Sequence, residues 1–195
     1  MAPADALRTL AAELREEGDV VAPFVAEPDE QPVLGLLVAA GPRCAEAPEA
    51  YATVVEAVRE GYLLHYGDSR LLPELDPDLR LLIGDHLYAR GIEQLAGIGD
   101  RLAVNELSDL ISITAQLDAA EGATRESAEI AWLGSAVAIA VGTTDAHERA
   151  KAALRATGDA GPLWQAALDG ARIGGLSDRL TAAAEAVGFP APSRG

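Results

Sequence analysis

Few residues of this sequence are spaced so that they could do chemistry together, and His65, Asp68 and Arg70 form one such group. A magnesium ion needs several oxygen ligands, whereas this group offers one carboxylate beside an arginine. We therefore expect Arg70 to form an ion pair with Asp68. The sequence has no His-x-x-x-His or Cys-x-x-Cys pair and no glycine-rich phosphate loop. We accordingly expect His65 to pack or to hydrogen-bond at a helix end.

A second carboxylate, Asp85, lies inside an otherwise apolar segment directly after Gly84. We interpret Asp85 as a helix-packing or capping residue. His86 is its neighbour in sequence, and adjacent positions of a helix point to different faces, so the two are not expected to share a metal. His147 is expected at the surface. We expect no metal site from these residues.

Apolar residues at intervals of three and four predict an all-α protein with about eight or nine helices. Asp76 or Asp78 is expected to cap the long helix that ends near residue 98. Trp132 and Trp164 are expected to be core or interface anchors. No segment alternates with a period of two over its full length, so no strand is predicted. The predicted helices cover residues 5–18, 33–40, 47–66, 78–98, 99–119, 124–141, 145–157, 161–172 and 176–187.

Composition excludes several classes of partner. A formal net charge of −16 makes nucleic acid and anionic membranes poor partners. Cys44 is the single cysteine, so no intrachain disulfide is expected. The N-terminus lacks the pattern of a signal or transit peptide, and no apolar stretch is long enough for a transmembrane segment. These features predict a cytoplasmic protein.

Three segments, taken together, resemble the trans-prenyl diphosphate synthases. Residues 79–91, LRLLIGDHLYARG, resemble the family helix written LAGDYLLARA. Residues 50–70, which end in YLLHYGDSR, resemble the helix that carries the first Asp-rich motif. Residues 31–40, QPVLGLLVAA, resemble the family segment GKRLRPLLVLLAA. The order of the segments is the same, and the resemblance extends over about residues 30–122.

The resemblance implies an isoprenoid-synthase-like helical bundle in reduced form. Residues 1–32 would form an N-terminal helix and a proline-rich loop, residues 33–188 the helical polyprenyl-synthase-like domain, and residues 189–195 a flexible tail. In the family, two Asp-rich motifs on facing helices hold Mg²⁺ ions, which bind the allylic diphosphate.

The positions that carry this chemistry in the family differ in this sequence. Asp68 alone remains of the first motif, and Arg70 lies where a later aspartate would come. The degenerate second motif would contain Gln165 and Asp169. Residues 29–31, Asp-Glu-Gln, replace the Gly-Lys-Arg segment that binds the second diphosphate, so acids stand in place of cations.

These losses predict a non-catalytic protein, a regulatory or partner subunit in isoprenoid metabolism. The resemblance implies a homodimer, or a heterodimer with a prenyl-synthase-like subunit, in which the helices at 50–66 and 79–98 form much of the interface. It also leaves room for an isoprenoid ligand. One alternative is a divergent prenyl transferase or isoprenoid-handling enzyme with relocated chemistry, and only this alternative requires a cofactor, Mg²⁺. A second alternative is an unrelated helical scaffold protein.

Overall fold

The computed structural model describes residues 2–120 and 124–189. Within these ranges the chain forms nine α-helices, three short 3-10 helices and no strand. The predicted all-α class and helix number are therefore confirmed. The α-helices are α1 (Ala6–Glu16), α2 (Val33–Ala39), α3 (Pro48–Tyr66), α4 (Pro77–Ile98), α5 (Arg101–Ala119), α6 (Arg125–Val141), α7 (Asp145–Thr157), α8 (Gly161–Ile173) and α9 (Ser177–Ala186).

Polar caps fix the starts of the four helices that follow α3. Asp76 accepts hydrogen bonds from two backbone amides in the first turn of α4, so it is the cap, and Asp78 is not. Asp100, Thr124 and Thr144 cap α5, α6 and α7 in the same way. Between α4 and α5 the chain turns at Gly99, whose φ of 85° suits glycine. These caps explain why the predicted boundaries of α4 to α7 lie within a residue or two of the observed ones.

Two helices form the centre of the fold. Every residue of α3 from position 51 to 64 is buried, and so is every residue of α6 from position 128 to 140. Helices α1, α2 and α4 cover α3, whereas α2, α5 and α8 cover α6. Because α3 is covered within its own chain, the expectation that it forms a subunit interface is wrong. The outer face of α4 does remain open to solvent.

Glycines let α3 and α4 approach each other closely. A Cβ atom built on Gly61 would lie 2.9 Å from the carbonyl oxygen of Gly84, which is too close for any side chain. A Cβ atom on Gly91 would lie 2.4 Å from a methyl group of Val58, a fully buried residue of α3. Because glycine has no side chain, Gly61 and Gly91 allow these two helices to approach each other this closely.

Both ends of the described chain pack against the bundle. The apolar face of α1, with Leu7, Leu10 and Leu14, is buried in a cluster that includes Leu71 and Leu87. Phe189 is also buried, and the centre of its ring lies 4.8 Å from the centre of the Trp164 ring. The predicted flexible tail is therefore wrong for Phe189, while positions 190–195 lie outside the described residues.

Over residues 2–120 and 124–189, no helix is both long enough and apolar enough to cross a membrane. This agrees with the prediction that the sequence contains no transmembrane segment.

Substitution of Gly91 by alanine should lower the free energy of unfolding by about 1–3 kcal/mol, because the new methyl group overlaps Val58. Gly97→Ala is the matched control on the same helix, since a Cβ atom there would meet nothing within 4 Å. That control should be neutral or stabilising by up to about 1 kcal/mol, because alanine favours helix. Urea unfolding measures both, and equal effects of the two substitutions would contradict the close helix crossing.

Candidate functional site

A groove of about 530 Å³ lies at the C-terminal end of α3. It brings together the two segments that the sequence analysis connected with diphosphate binding, around residues 30–34 and 68–70. Two further arginines, from α3 and α6, complete its polar wall. The lining residues are Glu30, Gln31, Val33, Leu34, Arg59, Leu63, Asp68, Arg70, Arg125, Ala186 and Val187.

Arg70 does not pair with Asp68, so that prediction is wrong. Its guanidinium lies between two buried carboxylates of α3, with Nη2 2.7 Å from Glu56 and Nε donating to Glu60. Burial alone would lower the pKa of Arg70, but the charges of Glu56 and Glu60 outweigh it and raise the pKa. Asp68 is exposed at the rim instead. The positive charge of Arg70 is thus already neutralised inside the protein.

Glu60 also fixes the loop that follows α3. One of its oxygens accepts a 2.7 Å hydrogen bond from the hydroxyl of Ser69, and bonds of 3.2 and 3.3 Å from the backbone amides of Arg70 and Leu71. Glu56 accepts a 2.7 Å bond from the backbone amide of Gly35, at the start of α2. The two carboxylates therefore determine the position of both segments that line the groove.

Arg59 connects the groove to the second central helix. Its Nη2 donates to both oxygens of Glu129 on α6, each at 2.8 Å, and both side chains are buried. The guanidinium lies over the rings of Tyr62 and Trp132, at 4.9 and 5.1 Å from their centres. This arginine is also neutralised by an internal carboxylate.

His65 and Asp85 lie close together but do not line the groove. The Nε2 atom of His65 is 3.1 Å from Asp85 without a hydrogen bond, and its ring stacks on Tyr88 with the ring centres 5.3 Å apart. His65 therefore packs at the end of α3, which was one of the two roles that the sequence analysis expected. The side chain of Asp85 is 75% exposed and caps no helix, so its predicted packing or capping role is wrong.

The degenerate second motif is not part of the groove. Gln165 and Asp169 lie one turn apart on α8, where Gln165 donates a 3.3 Å hydrogen bond to Asp169. Asp169 also pairs with Arg172 of the same helix. Neither side chain lines the groove that contains Asp68, so the structure does not bring the two predicted motif regions together.

The sequence analysis missed a buried polar cluster formed by α5, α6 and α7. Glu106 accepts hydrogen bonds from Ser135, His147 and Lys151 at 2.8, 2.8 and 2.7 Å. Burial alone would raise the pKa of Glu106, but the bonds from His147 and Lys151 outweigh it and lower the pKa. His147 is 5% exposed, so its expected surface position is wrong. One signal was available, because Lys151 is the sole lysine in the sequence and lies one turn after His147.

The groove and the cluster have different chemical capacities. Among the described residues, one group of three metal-ligating side chains has its ligand atoms close together, and that group lies in the cluster rather than at the groove. At the groove, Arg59 and Arg70 are paired with buried carboxylates, whereas Arg125 and Asp68 face solvent. This arrangement suits recognition of a ligand or partner better than binding of a magnesium–diphosphate complex.

No family model, curated protein or solved structure matches the chain. The resemblance to the prenyl diphosphate synthases therefore stays a prediction that rests on the quoted segments.

Replacing Arg70 with leucine should destabilise the protein by about 3–5 kcal/mol, because Glu56 and Glu60 would stay buried without a compensating charge. Arg172→Leu is the control, since its pair with Asp169 is exposed and should contribute less than about 1 kcal/mol. Unfolding by guanidinium chloride at neutral pH measures the stability of both variants. A small effect at Arg70 would show that water already compensates the two glutamates.

Proposed function

We propose that this chain is a non-catalytic, polyprenyl-synthase-like protein that acts as a regulatory or partner subunit in isoprenoid metabolism. One observation carries the proposal. The two segments that resemble diphosphate-binding parts of the family meet at one groove, while the arginine beside Asp68 is held by Glu56 and Glu60. The groove therefore has room for a ligand. It lacks the charges that are needed to ionise an allylic diphosphate.

The electrostatics of the groove support recognition rather than catalysis. Arg59 and Arg70 each face a buried carboxylate within 3 Å, so little of their positive charge remains for an anion. Glu30 and Asp68 add negative charge to the same lining. A diphosphate would be repelled, whereas the apolar side chains Val33, Leu34 and Leu63 would accept an uncharged isoprenoid segment.

A partner subunit would contact the outer face of α4. The inner face of this helix packs on α3, but Leu81 and Leu82 are 52% and 64% exposed. Large apolar side chains next to each other at the surface are typical of interaction sites. Two leucines cover far less than the roughly 1,600 Å² of a standard interface, so neighbouring surface must contribute as well.

The isolated chain should form no elongated product from allylic and homoallylic diphosphates with Mg²⁺, because its groove lacks a cluster of aspartates that could hold magnesium ions and because Arg59 and Arg70 are already paired with carboxylates. Product analysis by radiolabelled chain extension tests this directly. Mixed with a complete Asp-rich prenyl synthase from the same cell, the chain should bind it and shift the length of its product. Metal-dependent elongation by the pure chain would instead favour a divergent transferase.

Substitution of both Leu81 and Leu82 by glutamate should weaken that association at least tenfold, since charges would enter the proposed interface. Ile173→Glu is the control, because Ile173 is equally apolar and 84% exposed but lies on α8. Light scattering and pull-down with the synthase compare the variants. Unchanged association of the double variant would exclude the α4 face, and a lack of any association would argue against the partner role.

A further inference from the structure

A second site becomes apparent where α5 and α7 meet, away from the groove. Glu106 and His147 are buried there, while Glu148 is exposed, and one ligand atom from each lies within 4.8 Å of the other two. A cleft of about 730 Å³ runs along this cluster, lined by Glu106, Glu148, Asp109 and Lys151 among others. The cleft gives an ion access to Glu106 and Glu148, and His147 lies directly behind Glu106.

The two oxygens of Glu106 have separate partners. Its Oε1 atom faces His147 Nε2 at 2.8 Å and accepts a hydrogen bond from Ser135, whereas its Oε2 atom accepts a 2.7 Å bond from Lys151. Lys151 also donates to Asp109 at 2.9 Å. The ammonium group, which also lies 3.2 Å from Glu148, therefore occupies Oε2 of Glu106, whereas Oε1 faces His147 and Ser135.

The spacing on that side is close to the spacing of metal ligands. Two atoms bound to zinc at about 2.0–2.2 Å lie roughly 3.3–3.5 Å apart in tetrahedral geometry. His147 Nε2 and Glu106 Oε1 would have to separate by only about half an ångström to bind the same ion. Ser135 would continue to orient Glu106 from behind, as outer hydrogen-bond partners commonly do at metal sites.

The charges around the cleft balance before an ion binds. Glu106, Asp109 and Glu148 carry three negative charges, against the three positive charges of Lys151, of Arg101 in the cleft lining, and of Arg155, which pairs with Asp109. Glu106 and Glu148 would therefore share their charge between Lys151 and the added ion. An imidazole among carboxylates favours a transition-metal ion over Mg²⁺ or Ca²⁺, which prefer oxygen ligands alone.

We propose that Glu106, His147 and Glu148 form a binding site for a divalent transition-metal ion such as Zn²⁺, with a fourth position open to the cleft. On binding, the hydrogen bond between His147 Nε2 and Glu106 Oε1 is replaced by two bonds to the metal. His147 then carries its proton on Nδ1. This site departs from the sequence-based expectation of no metal cofactor, and it is independent of the function proposed for the groove.

Isothermal titration calorimetry of the metal-free chain with zinc chloride tests the proposal. We expect one saturable site at a one-to-one ratio, at least tenfold weaker in Glu148→Gln and lost in His147→Ala. Glu148 is exposed, so its variant should fold normally, which guards against misfolding of the His147 variant. Zinc should also raise the thermal unfolding temperature of the unmodified chain but not that of Glu148→Gln.

Two controls separate this site from adventitious binding. Glu185→Gln removes an exposed acid of α9 and should leave zinc affinity unchanged. His86→Ala removes the exposed histidine that pairs with Glu17, and it too should leave the affinity unchanged. Loss of binding in His86→Ala with retention in Glu148→Gln would overturn the proposal. So would an absence of saturable zinc binding, or tighter binding of Mg²⁺ than of Zn²⁺.

Discussion

The burial of three charged side chains in the central helix constrains the rest of this structure. Glu56, Arg59 and Glu60 lie within two turns of α3, and each is at most 5% exposed. A buried charge without a partner costs several kcal/mol, so the surrounding segments must supply compensating groups. The loop after α3 supplies Arg70, and α6 supplies Glu129. These pairs align both central helices and position the chain that enters α2.

The same ion pairs decide what the groove can bind. Each arginine that lines it from α3 or from the following loop has one side against a carboxylate that the fold requires. If Arg70 left its ion pairs to bind an anion, Glu56 and Glu60 would repel each other inside the core, with a large electrostatic penalty. Stability and anion recognition therefore compete for the same guanidinium groups. In this chain stability has priority, which is consistent with a binding role that needs no free positive charge.

Local patterns predicted the features that depend on neighbouring residues, and they failed where distant segments decide. Helical periodicity, a cap at Asp76 or Asp78, and the role of Trp132 and Trp164 as core or interface anchors could all be derived from short stretches. Proximity in sequence predicts a pair between Arg70 and Asp68, but the loop folds back over α3, and Arg70 meets Glu56 and Glu60 instead. The burial of Glu56, Arg59 and Glu60 was not predicted either, because it depends on partners from other segments of the chain.

The buried network around Arg59 and Arg70 and the buried network around Glu106 contain different kinds of cation. This difference determines which of the two could bind a metal ion. Arginine stays protonated and forms fixed, planar pairs, so the network around Arg59 and Arg70 has no ready way to exchange its cations. The network around Glu106 contains an imidazole and an ammonium group, beside an open cleft. Histidine can give up a proton and present a lone pair to a metal, which arginine cannot do. The groove network is therefore suited to hold the fold, whereas the imidazole of the Glu106 network could turn a lone pair to the proposed ion when its proton lies on Nδ1.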